Sequence, residues 1–327
     1  MRKQNLVRAL VLVFLIMGMV LAACTPAPAA ATDATAAEPA ILRFAHLRII
    51  DALPMYVAQQ EGLYEKHGVR VELIPVGSAP ERDQLMAAKR TDGMISEVLT
   101  ALFYNKDSIQ VQIVRFARAA TPETHLFSIL ASRQSGITSV EGLKGVPVGI
   151  SDGTVIAYLT DRMLTEEGFS VEDKQTVSVP SLGDRMALLG SGEIQAAMLP
   201  EPLTTLAAQQ GAVVVLEDSK YPEYSHSTIT FRKEVLDQNP EAVRAFLAAV
   251  EEAVALINAD PTKYEKTLVE LNIVPAPLEG KFAVPQFVTA GVPSETQFQD
   301  VLEWARSKNL VDKDYTYSDL ITAEFLP

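Results

Sequence analysis

Gly142-Leu-Lys-Gly-Val-Pro-Val-Gly-Ile-Ser-Asp-Gly-Thr154 decides how the rest of the chain is read. Residues 146–150 form a short apolar run with β-branched side chains, a strand signal. A glycine-flanked Ser151-Asp152 follows, and apolar residues at helical spacing run over 154–167 up to Gly168. A strand that delivers a hydroxyl and a helix start to one loop has two uses. Gly149, Ser151 and Gly153 match G-x-S-x-G, the pattern in which a serine attacks from a sharp turn. The same junction also holds a solute through backbone N–H groups and hydroxyls, with no bond broken.

The elements around it favour the second use. After the helix come a strand over 175–180, a helix over 182–189 and a strand over 194–199. The same order stands earlier in the chain: strand 41–45, helix 54–61, strand 69–75, helix 80–90 and strand 93–96. Local texture recurs as well, with Leu85-Met86-Ala87-Ala88 ahead of Asp92-Gly93 and Met186-Ala187-Leu188-Leu189 ahead of Gly192-Glu193. Alternation from β to α predicts a parallel sheet with crossover helices, and its recurrence predicts two similar α/β lobes. Strand-like segments 109–117 and 125–132 lead from the first lobe to the second, and 227–232 leads back. The expected partition is 41–120 for the first part of lobe 1, 121–226 for lobe 2, and 227–327 for the return strand and C-terminal helices of lobe 1.

Those last helices are clearly punctuated. Asn239-Pro240 opens a helix with Val243, Phe246, Leu247, Val250, Val254 and Ile257 on one stripe, and Asp260-Pro261 starts another. Ser294 with Gln297 forms a capping box ahead of Phe298, Val301, Leu302 and Ala305. Each has one apolar face, so they are expected to pack on lobe 1, with Trp304 in the core.

The N-terminus is of another kind. Arg2, Lys3 and Arg8 precede an apolar run of about 15 residues, too short for a typical spanning helix, that ends Leu21-Ala22-Ala23-Cys24. Residues 1–23 read as a secretory signal, and the lipobox-like ending makes Cys24, the only cysteine, the expected acylation site. Acylation there implies a membrane-anchored, extracytoplasmic protein, since two acyl chains suffice for stable attachment. Residues 24–40 are Ala, Thr and Pro with almost no large apolar side chain, the composition of a flexible tether.

Charge and motifs exclude several classes. The formal charge of −13 becomes −16 once Arg2, Lys3 and Arg8 leave with the signal, which argues against nucleic acid and for a soluble monomer. His46, His67, His125 and His226 show no metal-ligand spacing, and there is neither a phosphate loop nor a dinucleotide fingerprint. No metal, cofactor or catalytic residue is expected. A serine hydrolase built on Ser151 would use Asp218 and His226, which follow in the right order, but no Gly-rich oxyanion motif precedes them.

In open parallel sheets ligands sit beyond the carboxyl ends of the strands. The loops there carry His46, Arg48 and Asp51; Ser78; Glu97; Ser151, Asp152 and Thr154; and Glu201 between Pro200 and Pro202. Tyr221 and Tyr224 add ring faces near the second lobe. These eleven residues are the candidate ligand site. Capping, ion pairing or solvent exposure is the competing reading for each of them.

Residues 54–68 followed by Val69-Arg-Val-Glu72, then Leu143-Lys-Gly-Val-Pro-Val-Gly149, Leu188-Leu-Gly-Ser-Gly-Glu-Ile-Gln-Ala-Ala-Met-Leu-Pro-Glu-Pro202 and Asn239-Pro-Glu-Ala-Val243 resemble the solute-binding lipoproteins of ABC importers. The branch is the one with binders of thiamine pyrimidine precursors, sulfonates, nitrate and riboflavin. The resemblance implies an α/β, two-lobed periplasmic-binding-protein fold of the second type, with a cleft between two mixed, mostly parallel sheets. It implies a small solute as cargo, a membrane permease with its own ATPase as partners, and hinge closure with no chemistry. The chain looks most like the riboflavin-binding members. His46-Leu-Arg-Ile-Ile-Asp51 departs from the Trp- and Asn-containing stretch of pyrimidine binders, and the cysteine cluster of the related biosynthetic enzymes is absent. The alternatives are a thiamine pyrimidine precursor or an aliphatic sulfonate, the latter seated on Arg48 and the helix start at Thr154.

Overall fold

The computed structural model describes residues 41–327; the expected signal 1–23, the acylation site Cys24 and the tether 24–40 lie outside the described residues. Two five-stranded sheets organise the chain. The first contains β1 (Ile41–Leu47), β2 (Arg70–Val76), β3 (Gly93–Ser96), β4 (Val111–Ala119) and a late strand, β10 (His226–Arg232), in the order β2-β1-β3-β10-β4. The second contains β5 (Phe127–Ala131), β6 (Pro147–Ile150), β7 (Gln175–Ser178), β8 (Ala196–Pro200) and β9 (Val213–Glu217), in the order β7-β6-β8-β5-β9. In each sheet the first three strands pair in parallel. The strand that crosses between lobes, β10 in one and β5 in the other, runs antiparallel to both its neighbours.

Helices α1 (Leu53–Gln60), α2 (Leu63–Lys66), α3 (Ala79–Ala87) and α4 (Val98–Tyr104) belong to lobe 1, and α5 (Val155–Glu166), α6 (Leu182–Ser191) and α7 (Leu203–Gln209) to lobe 2. After β10 come α8 (Lys233–Gln238), α9 (Pro240–Ala259), α10 (Glu265–Glu270), α11 (Glu295–Ser307) and α12 (Tyr317–Leu320). Periodicity along the chain marks most of these but not α2, α4, α7, α8, α12 and β9, which are short and weakly periodic.

The lobes are repeats in register as well as in order. Phe44 of β1 pairs with Leu73 and Gly93, and Val148 of β6 pairs with Thr176 and Ala196, so both flanking partners lie 103 positions apart. The same offset relates Ser78, which caps α3 by accepting from Glu81 N, to Ser181, which caps α6 by accepting from Asp184 N. It also relates Arg82 to Arg185: Arg82 Nη1 donates to Ile95 O at 3.0 Å and Arg185 Nη1 to Met198 O at 2.8 Å. The local match made from sequence, Leu85 against Met186, is two residues out of this register. In the correct one arginine falls on arginine.

Capping follows simple donor–acceptor rules. Ser294 and Gln297 make the expected capping box on α11. Asn239 does not cap α9 through its side chain; Pro240 opens that helix, where its missing N–H costs nothing. Helix α3 stops at Ala87, short of the expected Arg90, because the chain reverses through Lys89 at φ 55°.

Lobe 1 is held by a ring cluster in which Phe246 of α9 stacks on Phe44 (5.0 Å) and Tyr64 (5.6 Å) and meets Phe231 edge-on (5.4 Å). Gly93 lies beneath it: a Cβ there would fall 2.7 Å from Phe231 Cε1 and 2.9 Å from Phe44 Cδ2, so only glycine fits. The C-terminal helices were expected on lobe 1. Helix α9 packs there, against α1 and α2. Helix α11 packs on α4, and its Phe298, Val301, Leu302 and Trp304 share one apolar cluster with Ile156, Leu159 and Met163 of lobe 2.

Candidate functional site

Between the carboxyl ends of the two sheets lies a cavity of about 60 Å³. Lobe 1 contributes Leu47, Ile49, Asp51, Arg82, Ile95, Ser96, Glu97 and Ser227; lobe 2 contributes Phe127, Ser151, Thr154, Val155, Ile156, Leu182, Arg185 and Pro200. Its walls are largely apolar, with a few polar groups held from behind, the build of a small-molecule site.

The junction at 149–154 sits at this cavity. Gly149 of β6 lies close under Ile194, whose Cδ1 would lie 2.7 Å from a Cβ, and Gly153 turns the chain at φ 67°. Thr154 Oγ1 accepts from Ile156 N (3.2 Å) and donates to Ser151 O (2.8 Å), which fixes the loop on the start of α5. Ser151 Oγ is buried with no hydrogen-bond partner among the described residues. A nucleophile elbow puts the strain on the serine; here the positive φ is on Gly153. The proposed triad is not assembled either. Asp218 accepts from Leu126 N (2.9 Å), Phe127 N (3.0 Å) and Ser225 Oγ, tying the two crossovers together, and His226 Nδ1 has no partner among the described residues. Burial pushes the Asp218 carboxyl up to about 6 and the His226 imidazole down to about 4.

The charged wall residues differ between lobes. Asp51 pairs with Arg118 (3.3 Å) and accepts from Ser227 Oγ (2.5 Å). Arg82 reaches Glu97 (3.2 Å), Asp83 (2.8 Å) and Thr100 Oγ1 (3.1 Å); burial opposes its charge, but Glu97 and Asp83 outweigh that and keep it protonated. Among the described residues its repeat-mate Arg185 has carbonyls only: Val179 O at 2.9 Å, Met198 O at 2.8 Å and Pro180 O at 3.3 Å. Where lobe 1 has Glu97, the repeat position in lobe 2 is Pro200. Burial alone therefore lowers Arg185, to about 10.

Of the eleven candidates, Asp51, Glu97, Ser151 and Thr154 line the cavity. The others go elsewhere, each for a local reason. His46 points away from the cleft, with Nδ1 at 2.7 Å from Leu47 O and Nε2 at 3.0 Å from Tyr56 Oη, and burial drives it down to about 4. Arg48 and Asp152 are exposed, and Ser78 is used as a cap. Glu201 is buried, but against His125 Nε2 (2.5 Å) and Thr205, on a separate cavity of about 310 Å³ beside the crossover segments. The aromatic platform expected of Tyr221 and Tyr224 is not at the site: their hydroxyls donate to Glu167 and Glu166 (2.9 Å each) at the far end of α5. Arg82, Arg185, Ser227 and the apolar lining were missed; only the register of the repeat could have singled out the two arginines.

A profile of the family described as NMT1/THI5 like matches residues 50–264. A Haemophilus influenzae protein named for thiamine biosynthesis is 27% identical over 280 residues, covering 80% of this chain and 85% of that one. Among solved structures, the alkanesulfonate-binding protein SsuA of Xanthomonas axonopodis pv. citri superposes with TM-score 0.74 at 17% identity, over 88% of this chain and 99% of that one. The desulfurization enzyme DSZB superposes with TM-score 0.67 at 14% identity, over 87% and 97%. Binding proteins and an enzyme thus share this architecture, and function has to be argued from the cleft. With two repeated lobes around one cleft and a match across both, the chain belongs to the NMT1/THI5-like family and has the two-lobed fold of periplasmic binding proteins.

Proposed function

We propose that this protein is the extracytoplasmic solute-binding component of an ABC importer, anchored through Cys24, and that its cargo is a compact heteroaromatic vitamin precursor. The carrying observation is the inter-lobe cavity: it is small, apolar-walled, and its Arg82 is already neutralised by Glu97 and Asp83. Such walls suit a flat ring with one or two polar edges better than a fully charged solute. A thiamine pyrimidine precursor meets that description, and a relative named for thiamine biosynthesis supports it. Riboflavin is the second reading, favoured by the sequence resemblance and by the apolar faces of Phe127, Ile95 and Leu182; it requires the lobes to stand wider apart. An aliphatic sulfonate would need a cation facing the cavity, and Arg185 is the lining cation without a carboxylate.

In this reading the solute bridges the lobes, stabilises the shut form by contacts made only there, and the shut form docks on the permease. Calorimetric titration of the purified protein with thiamine pyrimidine precursors, riboflavin and aliphatic sulfonates tests it. Micromolar binding of a ring compound supports the proposal, sulfonate binding alone overturns the ligand class, and no binding in the panel removes its basis. For the anchor, Cys24→Ser should release the protein from membranes; retention there would count against it.

A further inference from the structure

Helix α11 leaves lobe 1 and returns to it. Before it, Gly291 O accepts from Phe116 N of β4 at 2.7 Å and Val288 O accepts from Arg115 Nη2 at 3.0 Å. After it, Tyr315 Oη donates to Leu102 O at 3.0 Å and Thr322 N to Ile113 O at 3.0 Å. Both ends are therefore tied to the first lobe.

The middle of α11 is gripped by the second. Asp300 accepts from Tyr158 Oη at 2.5 Å and is held by Arg162 of α5 through Nε at 3.0 Å and Nη2 at 2.8 Å. In the reverse direction, Asp161 of α5 accepts from Trp304 Nε1 at 2.8 Å and pairs with Lys308 at 3.0 Å. Tyr158 and Trp304 meet edge to face between them, centroids 5.4 Å apart. Each helix thus offers a carboxylate to donors of the other, and the two-pronged guanidinium fixes the register of the pair. None of these six side chains lines the inter-lobe cavity. Helix α5 nonetheless begins at the Ser151–Thr154 loop, so the element that meets the solute at one end meets the C-terminal helix along its length.

The geometry points to a latch: the α5–α11 contact, centred on Asp300 with Arg162 and on Asp161 with Trp304, holds the lobes shut and sets solute affinity from outside the cleft. In this proposal, swinging lobe 2 away from lobe 1 parts these groups. A solute that binds only the shut form has its Kd divided by the fraction shut, so each favourable contact made only there tightens binding without touching the solute. Arg162 and Asp300 are 23% and 27% exposed, so water screens the pair in part, while its two-pronged geometry and buried aromatic flank lift it above a simple surface pair. A change of about three- to tenfold in the shut-to-open ratio is expected on breaking it.

Trp304 is the only tryptophan and is 5% exposed, so it reports the latch directly. In the purified full chain with no solute added, Asp300→Asn should raise acrylamide quenching of Trp304 by about twofold or more and enlarge the radius of gyration measured by X-ray scattering. The exchanged pair Arg162→Asp with Asp300→Arg should return both toward parental values. If Asp300→Asn loses its circular dichroism, Arg162→Lys carries the decision, since it keeps the charge and loses the fork. Parental quenching and radius in a folded variant overturn the latch. The ligand arm rests on the cleft being a solute site: with a solute from the titration panel, Asp300→Asn should raise Kd about three- to tenfold, and an unchanged Kd beside raised quenching overturns the claim on affinity. Should no solute in the panel bind, the solute-free arm still decides the latch and the failure falls on the proposed function alone.

Discussion

Arg82 and Arg185 occupy the same place in the two repeats, so one substitution made at both separates the value of a buried ion pair from that of a buried cation. Arg82→Met leaves Glu97, 6% exposed, as a buried carboxylate with only Thr100 Oγ1 to satisfy it. Removing one partner of such a pair costs about 3–5 kcal/mol. Arg185→Met strands no charge. It removes three charge-assisted bonds to carbonyls, worth about 4.5 kcal/mol together at the low end of their range, and relieves a guanidinium whose pKa burial lowers from 12.5 to about 10, which returns about 3 kcal/mol. The net is about 1.5 kcal/mol, so Arg82→Met should cost more than Arg185→Met by about 2–3 kcal/mol. Urea titration followed by circular dichroism reads this as a large fall in midpoint for Arg82→Met and a small one for Arg185→Met. Adding Glu97→Gln to Arg82→Met should recover most of the loss. Equal costs at the two sites, or no recovery in the double variant, would refute the account of the cleft's charges.

Three further outcomes follow from the same structure. Gly93→Ala puts a Cβ into the Phe44 and Phe231 rings and should cost about 1–3 kcal/mol, read as a lowered thermal midpoint; a neutral result would mean that the rings move freely. Stability should fall as pH drops from about 6.5 toward 4. His46 and His226 take up protons near 6.5 when unfolded and only near 4 in the fold, so the unfolded chain holds more protons across that window. Each contributes about 3 kcal/mol, and Asp218, raised from 3.8 to about 6, opposes them from about pH 6 down through the rest of the window. His46→Gln should flatten the profile of thermal midpoint against pH, and an unchanged slope would show that His46 does not carry it. Ser151→Ala removes a buried hydroxyl that bonds to nothing, so stability should change by about 0.5 kcal/mol or less while solute affinity falls; loss of fluorophosphonate labelling in the variant would instead restore the hydrolase reading.

Most of the fold was legible in the chain because it rests on local, periodic signals. The β-to-α alternation, the Ser294–Gln297 box and the stripe from Val243 to Ile257 each follow from the spacing of side chains along one element. Short elements such as α4 and β9 were not legible, since four to seven residues carry too little period to separate them from a buried loop. The site was legible only in part. Asp51, Glu97, Ser151 and Thr154 lie at strand ends, where topology alone sends side chains toward a cleft. His46 and Glu201 lie at strand ends too, but their nearest satisfying partners, Tyr56 and His125, face away from it.

By itself, then, the sequence determined two α/β repeats and a junction at 149–154 built to present a loop. The tertiary structure alone decided that Arg82 is neutralised where Arg185 is not, that Tyr221 and Tyr224 turn to Glu167 and Glu166, and that α11 bridges both lobes. The physical reason is range. Propensity, capping and turn chemistry act within a few residues, whereas the pairing of a buried charge depends on groups the fold brings together from distant positions, as Asp300 meets Arg162 across 138 residues of chain.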